Sequence, residues 1–181
     1  MNYAKIKHYD IANGEGIRVS LFLSGCRFHC PGCFNPEAQD FDYGQRYTDK
    51  TEAELIRLVS DEHIDGLSLL GGDPLWQDTE GMRGLIRLCE KVRAMDKSIW
   101  LWSGFTWEEL SSNEPDDENS DRALRRRLIG CCDVFVDGRF VESRRDLRLK
   151  WRGSANQRII NVKMSASGGK IDDKSIVLYD E

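Results

Sequence analysis

No run of apolar residues in this 181-residue chain approaches the ~20 that a membrane-spanning helix needs, so no membrane is expected. The opening, MNYAKIKHYD, lacks the apolar core of a signal peptide, and the expectation is a cytoplasmic protein. Histidine is scarce: His8, His29 and His63 are the three present, and none has an evident catalytic setting. The sequence shows no internal repeat and no long linker. A chain of 181 residues then reads as one domain, 1–181, with a sizeable core. A formal net charge of −5 argues against nucleic acid as the main partner.

What is present fits a globular chain, with 40% hydrophobic and 31% charged residues. Charge is unevenly placed. SSNEPDDENSD, residues 111–121, holds five acids and no base, and reads as a solvated loop. From Arg122 to Arg152 there are ten basic and four acidic residues. That stretch suits either an acidic partner or a solvated surface.

GIRVSLFLSG (16–25), DGLSLLGGDP (65–74), KSIWLWSGF (97–105) and CDVFVDGRF (132–140) read as strands that run into glycine turns. RIINVKM and KSIVLYD are later strand candidates. Helical spacing marks residues 48–62, with Thr48 or Thr51 as cap, and 78–95, with Met82, Leu85, Ile86, Cys89 and Val92 on one face. TWEELSSN and DRALRRRLIG read as shorter helices. Alternating strands and helices predict an α/β fold with a mainly parallel sheet. Gly25, Gly71-Gly72, Gly104 and Gly138 then fall at one strand edge, where such folds carry their sites.

SGCRFHCPGCFN, residues 24–35, leaves that edge and places Cys26, Cys30 and Cys33 within eight positions. In a reducing compartment such thiols point to metal or catalysis before disulfides. Zinc would need a fourth ligand. His29 is adjacent to Cys30, a poor geometry for two ligands. Cys89 sits on an apolar helix face, and Cys131-Cys132 reads as structural. Cys30-Pro31-Gly32-Cys33 is a C-x-x-C redox pair, but it leaves Cys26 idle and lacks a helix after it. An iron–sulfur cluster on three thiolates would keep one iron open for a substrate. The spacing suggests this last reading, and the zinc-binding interaction module remains its rival from another class.

The C-x₃-C-x₂-C pattern resembles the radical S-adenosylmethionine (SAM) enzymes. NGEGIR, CPGCFN, GGDP, WLWSGF, DVFVDGRF and WRGSANQRII, in this order, are similar to one subgroup, the anaerobic ribonucleoside-triphosphate reductase activating proteins. The likeness runs from about Met1 to Ile160. Residues 164–181 match poorly and form an extension with no assigned role. Gly32 stands where the wider superfamily often has an aromatic residue, so adenine contact would shift to Phe34 and the backbone of 32–34. Gly71-Gly72-Asp73 replaces the usual Gly-Gly-Glu, which the subgroup accepts.

The resemblance implies a partial, open (β/α) barrel, since a full barrel typically takes ~250 residues. It implies a [4Fe-4S] cluster on Cys26, Cys30 and Cys33. It also implies SAM held near Gly32, Cys33, Phe34, Gly71, Gly72, Asp73 and Ser103. The implied reaction is reductive SAM cleavage to a 5′-deoxyadenosyl radical, which makes a glycyl radical on the large reductase subunit. A low-potential electron donor such as flavodoxin is the further implied partner. Relatives acting on another glycyl-radical enzyme or a small molecule are the nearest alternative. Arg18 reads as a structural or surface residue, and the tryptophans at 100, 102 and 151 as core or wall residues.

Overall fold

A computed structural model describes residues 1–111, 117, 119–167, 170–171 and 176–179. The order begins with strands β1 (Asn2–Asp10), β2 (Arg18–Leu23) and β3 (Gln45–Arg46), then helix α1 (Asp49–Val59). Strand β4 (Gly66–Gly71), helix α2 (Thr79–Arg93) and strand β5 (Ser98–Trp102) follow. Helices α3 (Trp107–Ser111) and α4 (Asp121–Gly130) precede β6 (Val134–Asp137), β7 (Arg158–Asn161) and the short α5 (Val162–Ser165). Seven strands form one sheet in the order β3-β1-β2-β4-β5-β6-β7. The central four are parallel, while β1 and β7 are antiparallel to their neighbours. The sheet is not closed, as expected of a partial barrel.

Strand alternation sends Val19, Leu21, Leu67, Leu69, Ile99, Leu101 and Phe135 to one face, where they are almost fully buried. The apolar stripes of α1, α2, α3 and α4 pack into the same cluster. The opposite face has a smaller core of Trp100, Val134, Val136 and Ile159, bordered by Trp102, Trp151 and Tyr179. One face of the sheet is thus covered by helices, and the other is left for a site.

Each main helix starts where its capping chemistry places it. Thr48 and Thr51 form a reciprocal capping box at α1. Asp78 accepts from Gly81 N at 2.7 Å to begin α2, and Ser120 accepts from Ala123 N at 3.1 Å to begin α4. The solvated loop expected over 111–121 lies mostly outside the described residues.

Two sequence expectations change. No strand was expected before residue 16, yet β1 pairs with β2. Its alternation of polar and half-buried residues is blurred by register shifts between Tyr3 and Lys5 and between Lys7 and Asp10. RIINVKM is only in part a strand: β7 stops at Asn161, whose side chain accepts from Met164 N at 3.1 Å and starts α5. Of KSIVLYD, residues 176–179 are described; Leu178 forms an isolated bridge with Ile160 at the sheet edge. Among the described residues, no helix is long and apolar enough to cross a membrane.

Candidate functional site

The cysteine loop leaves the C-terminal end of β2 and is fixed at both sides. Gly25 N donates to Ala38 O at 2.8 Å and Cys26 N to Gln39 O at 3.0 Å. Phe28 packs edge-on to Phe105 and Trp76, with centroids 4.9 and 5.6 Å apart. A Cβ on Gly104 would stand 2.4 Å from the Phe28 ring, so glycine at this strand end is a packing requirement. Further along, Cys33 N donates to Cys30 O at 3.2 Å and closes the C-x-x-C turn. Phe34 then meets Phe140 edge-on at 5.0 Å.

Cys26, Cys30 and Cys33 are free and half-buried. Burial pushes the Cys26 thiol up to about 12, against an opposing backbone N–H of Phe28, with Cys30 and Cys33 adding repulsion. Burial also raises Cys30, against a backbone N–H of Phe140. The three sulfurs therefore feel one another, and two have amide donors of the kind that tune iron–sulfur ligands. Among the described residues, no three His, Cys, Asp or Glu side chains converge closely enough to hold a single metal ion. A four-iron cluster takes each thiolate on a separate iron and so accepts ligands that stand further apart.

The Gly71-Gly72-Asp73 turn lies against the start of this loop. Gly72 N donates to Leu23 O at 2.7 Å, and Asp73 N to Gly25 O at 2.9 Å. Gly71 adopts φ +109°, where a side chain would be strained, and a Cβ on Gly72 would come within 2.7 Å of Gly25 O. The Asp73 carboxylate is turned inward. It accepts from Leu75 N at 2.8 Å, Gly104 N at 2.8 Å and the Ser103 hydroxyl at 2.9 and 3.0 Å. Burial raises it to about 6, although these donors and Arg125 oppose the shift. The family resemblance puts SAM near the backbone and carboxylate at Gly72-Asp73 and near Ser103; in the structure the Ser103 hydroxyl donates to the Asp73 carboxylate, and the Asp73 carbonyl accepts from Trp76 N at 3.1 Å and Gln77 Nε2 at 3.2 Å.

The loop after β6 closes the other side of the site. Asp137 is buried and accepts from Trp107 N at 2.8 Å and from Arg158, which also forms a two-pronged pair with Glu108 at 2.7 Å. RGSANQ, residues 152–157, clasps this loop. Gln157 accepts from Gly153 N at 2.9 Å and Ser154 N at 3.1 Å, and donates to Gly138 O at 2.9 Å. Asn156 donates to Arg139 O at 2.8 Å. A Cβ on Gly153 would meet the Phe34 ring at 2.7 Å and Phe140 at 3.1 Å. The segment therefore shapes the wall behind the third cysteine.

Several supporting residues escaped the sequence reading: Phe28, Phe140, Arg139 and Gln157. Arg139 stacks over Phe28 at 4.5 Å. Aromatic residues inside a cysteine loop were the available signal for Phe28. Arg18, read as structural or surface, is buried: it donates to the Ser68 and Ser98 hydroxyls and to the carbonyls of Glu15, Leu67 and Ser98. Cys89 and Cys132 are buried in the helix-side core and Cys131 packs against it, as expected of structural thiols. Three cavities, of about 450, 510 and 440 Å³, lie beside Arg27, Trp76 and Arg125, beside Asp65, Trp100 and Tyr179, and beside Asp137, Gly138 and Arg139. No cysteine lines any of the three.

Residues 12–160 match the family model described as a 4Fe-4S single cluster domain. The chain is similar to proteins named anaerobic ribonucleoside-triphosphate reductase-activating protein. That of Vibrio cholerae serotype O1 is 38% identical, over 87% of this chain and 96% of its own. That of Escherichia coli K12 is 35% identical, over 90% of this chain and 100% of its own. The phage T4 protein is 37% identical, over 88% of this chain and 93% of its own.

Proposed function

This chain belongs to the family of anaerobic ribonucleoside-triphosphate reductase-activating proteins, and from that premise we propose how it acts. It is a radical SAM activase for a glycyl-radical enzyme. Cys26, Cys30 and Cys33 hold a [4Fe-4S] cluster and leave one iron for S-adenosylmethionine. The protein substrate is the large subunit of an anaerobic ribonucleoside-triphosphate reductase. Residues 1–181 act as one domain, in a cytoplasmic setting where thiols stay reduced. A low-potential carrier such as flavodoxin supplies the electron.

One observation carries this reading. Three thiols stand on a loop whose base is hydrogen-bonded to the Gly71–Asp73 turn, at the C-terminal edge of the parallel strands. The donor set fits the cluster: three soft, half-buried thiols on one loop. When bound, the cluster and SAM would supply one-electron radical chemistry directed at a glycine of the partner.

The chain's own residues hold and orient. Backbone carbonyls of Gly71 and Gly72 accept from the methionine ammonium of SAM, at a turn that needs glycine because a Cβ on either would strike the backbone of β2 or of the cysteine loop. Asp73 and Ser103 keep that turn aligned with the end of β5. Gly32, Cys33 and Phe34 offer backbone and ring to the adenine, with Phe140 and Gly153 behind Phe34. Phe28, Trp76 and Phe105 form an apolar wall that excludes water near Cys26.

The test is anaerobic reconstitution with iron and sulfide, then reduction with SAM and the reductase. A brown protein and a glycyl doublet in electron paramagnetic resonance are expected. A colourless zinc-loaded protein would reject the cluster. SAM cleavage with no glycyl signal, where a known activase gives one, would transfer the activity to a different substrate.

A further inference from the structure

We infer that the loop tip of residues 146–153 docks an acidic segment of the protein substrate, an inference that rests on the reading above that the substrate is a protein. The basic stretch from Arg122 to Arg152 divides into unlike parts. On α4, Arg125 donates to Leu75 O at 2.8 Å and lies over Trp76, and Arg127 pairs with Glu90 at 2.9 Å. Arg139 pairs with Glu109 at 2.9 Å. Those cations have partners within the fold.

The tip differs in its exposure, although Lys150 lies over Trp151 at 5.7 Å and Arg148 pairs with Asp146. Its base is fixed by the Arg145–Ser154 bridge and by Ala155 N donating to Arg144 O at 2.9 Å. Its far end is fixed by Trp102, whose indole N–H donates to Trp151 O at 2.6 Å, and by the Gln157 clasp. Between these anchors the side chains point outward. Leu147 is 81% exposed, and Lys150 is exposed with Arg144 at the base. Asp146 is bound to Arg148 at 2.8 Å, so it does not neutralise the rest. Residues 142–152 hold five basic and two acidic residues.

An exposed leucine within a segment of five basic and two acidic residues, on a backbone held at both ends, has the chemistry of an interface. The apolar residue supplies the contact and the rim selects charge. Prior ordering of the loop lowers the entropy lost on binding. The base of the tip adjoins the cysteine loop: Arg145 stacks over Phe34 at 5.0 Å, and Glu142 lies against Gly32. A chain bound here would be delivered beside Cys33. The fitting occupant is a substrate segment with an apolar residue among carboxylates.

The test uses the reconstituted protein and its cognate reductase. Variants are Arg144→Glu with Lys150→Glu, and Leu147→Ser; none of these residues contacts the cysteines or the Gly71–Asp73 turn in the structure. Iron content, circular dichroism and reductase-free SAM cleavage should match the native protein. Affinity for the reductase, measured calorimetrically at low salt, should fall at least about tenfold in the charge-reversed variant, and its dependence on salt should flatten. Leu147→Ser should weaken binding at every salt concentration. Binding by both variants within about twofold of native, while the native protein still yields a glycyl signal, would overturn the docking site alone. A native protein that neither binds the reductase nor yields that signal would overturn the substrate reading, and the docking site with it. Tight RNA binding lost in the same variants, with reductase binding intact, would assign the tip to nucleic acid and overturn the inference.

Discussion

Ser103 donates its hydroxyl to both oxygens of the buried Asp73 carboxylate, at 2.9 and 3.0 Å, and so ties the end of β5 to the turn after β4. Neither residue needs to touch a ligand for this clamp to matter. Ser103→Ala removes a hydrogen bond to a charged group and should cost about 1.5–3 kcal/mol. Asp73→Asn retains the shape but turns an NH₂ toward Leu75 N or Gly104 N, leaving a donor unpaired, at about 1–3 kcal/mol. Urea titration of the apo proteins checks both. Affinity for SAM should fall with stability in both variants, since both loosen the same turn.

The clamp also sets a pH dependence. Burial raises the Asp73 carboxyl from its ordinary 3.8 to about 6. Between those values the folded chain binds a proton that the unfolded chain does not. The stabilisation from this group is therefore fully present below pH 3.8 and lost as pH rises through 6. In Asp73→Asn that component is absent. Stability measured from pH 4 to 7 should fall less steeply in the variant than in the native protein. Equal slopes would show that Asp73 is ionised throughout.

Gly153 tests the wall behind the third cysteine. A methyl group there would press on Phe34 at 2.7 Å and Phe140 at 3.1 Å. Overpacking of this kind typically costs about 1–3 kcal/mol. Gly153→Ala should lower the melting temperature and weaken SAM binding, because Phe34 must move. A variant with unchanged melting and SAM affinity would remove RGSANQ from the site's support.

The central strands and helices were legible because local signals agree there. Glycine turns end the strands, apolar residues recur at helical spacing, and caps sit where the helices begin. The cysteine spacing was legible for a similar reason, since the ligands lie within one short segment. β1 was not, because its exposed Lys5 and Lys7 and two register shifts hide the alternation. The inward turn of Asp73 was hidden too. It depends on Ser103 and Gly104, which lie 30 and 31 residues away and meet it only when β4 and β5 pair. The same holds for Arg18, whose acceptors come from three separate segments.

Arg18 is held by five hydrogen bonds from one buried guanidinium. Burial lowers it to about 10, against Asp65 and Asp133, which favour the charge. Arg18→Met would leave two hydroxyls and three carbonyls without this donor, at on the order of 3–5 kcal/mol. Arg18→Lys keeps the charge but has fewer donors, and should fall between. Denaturant midpoints of the three proteins check the order. A methionine variant as stable as the native protein would mean that water or rearranged hydroxyls satisfy the network.

The cysteines separate into two groups by setting, and this gives the sharpest test of the ligand assignment. Cys26, Cys30 and Cys33 share one loop at the strand edge, each half-buried. Cys89 lies on α2 in the helix-side core, and Cys132 donates its thiol to Leu128 O at 3.3 Å at the end of α4. Burial keeps Cys131 and Cys132 protonated, raising the former to about 11 and the latter well above its ordinary range. Single Ala substitutions at 26, 30 or 33 should abolish the cluster absorbance after anaerobic reconstitution. The same change at 89, 131 or 132 should leave iron per chain unchanged, with at most a loss of stability at the two buried positions. Loss of iron from a folded Cys89→Ala or Cys131→Ala protein would move a ligand out of the loop and reject the three-cysteine site.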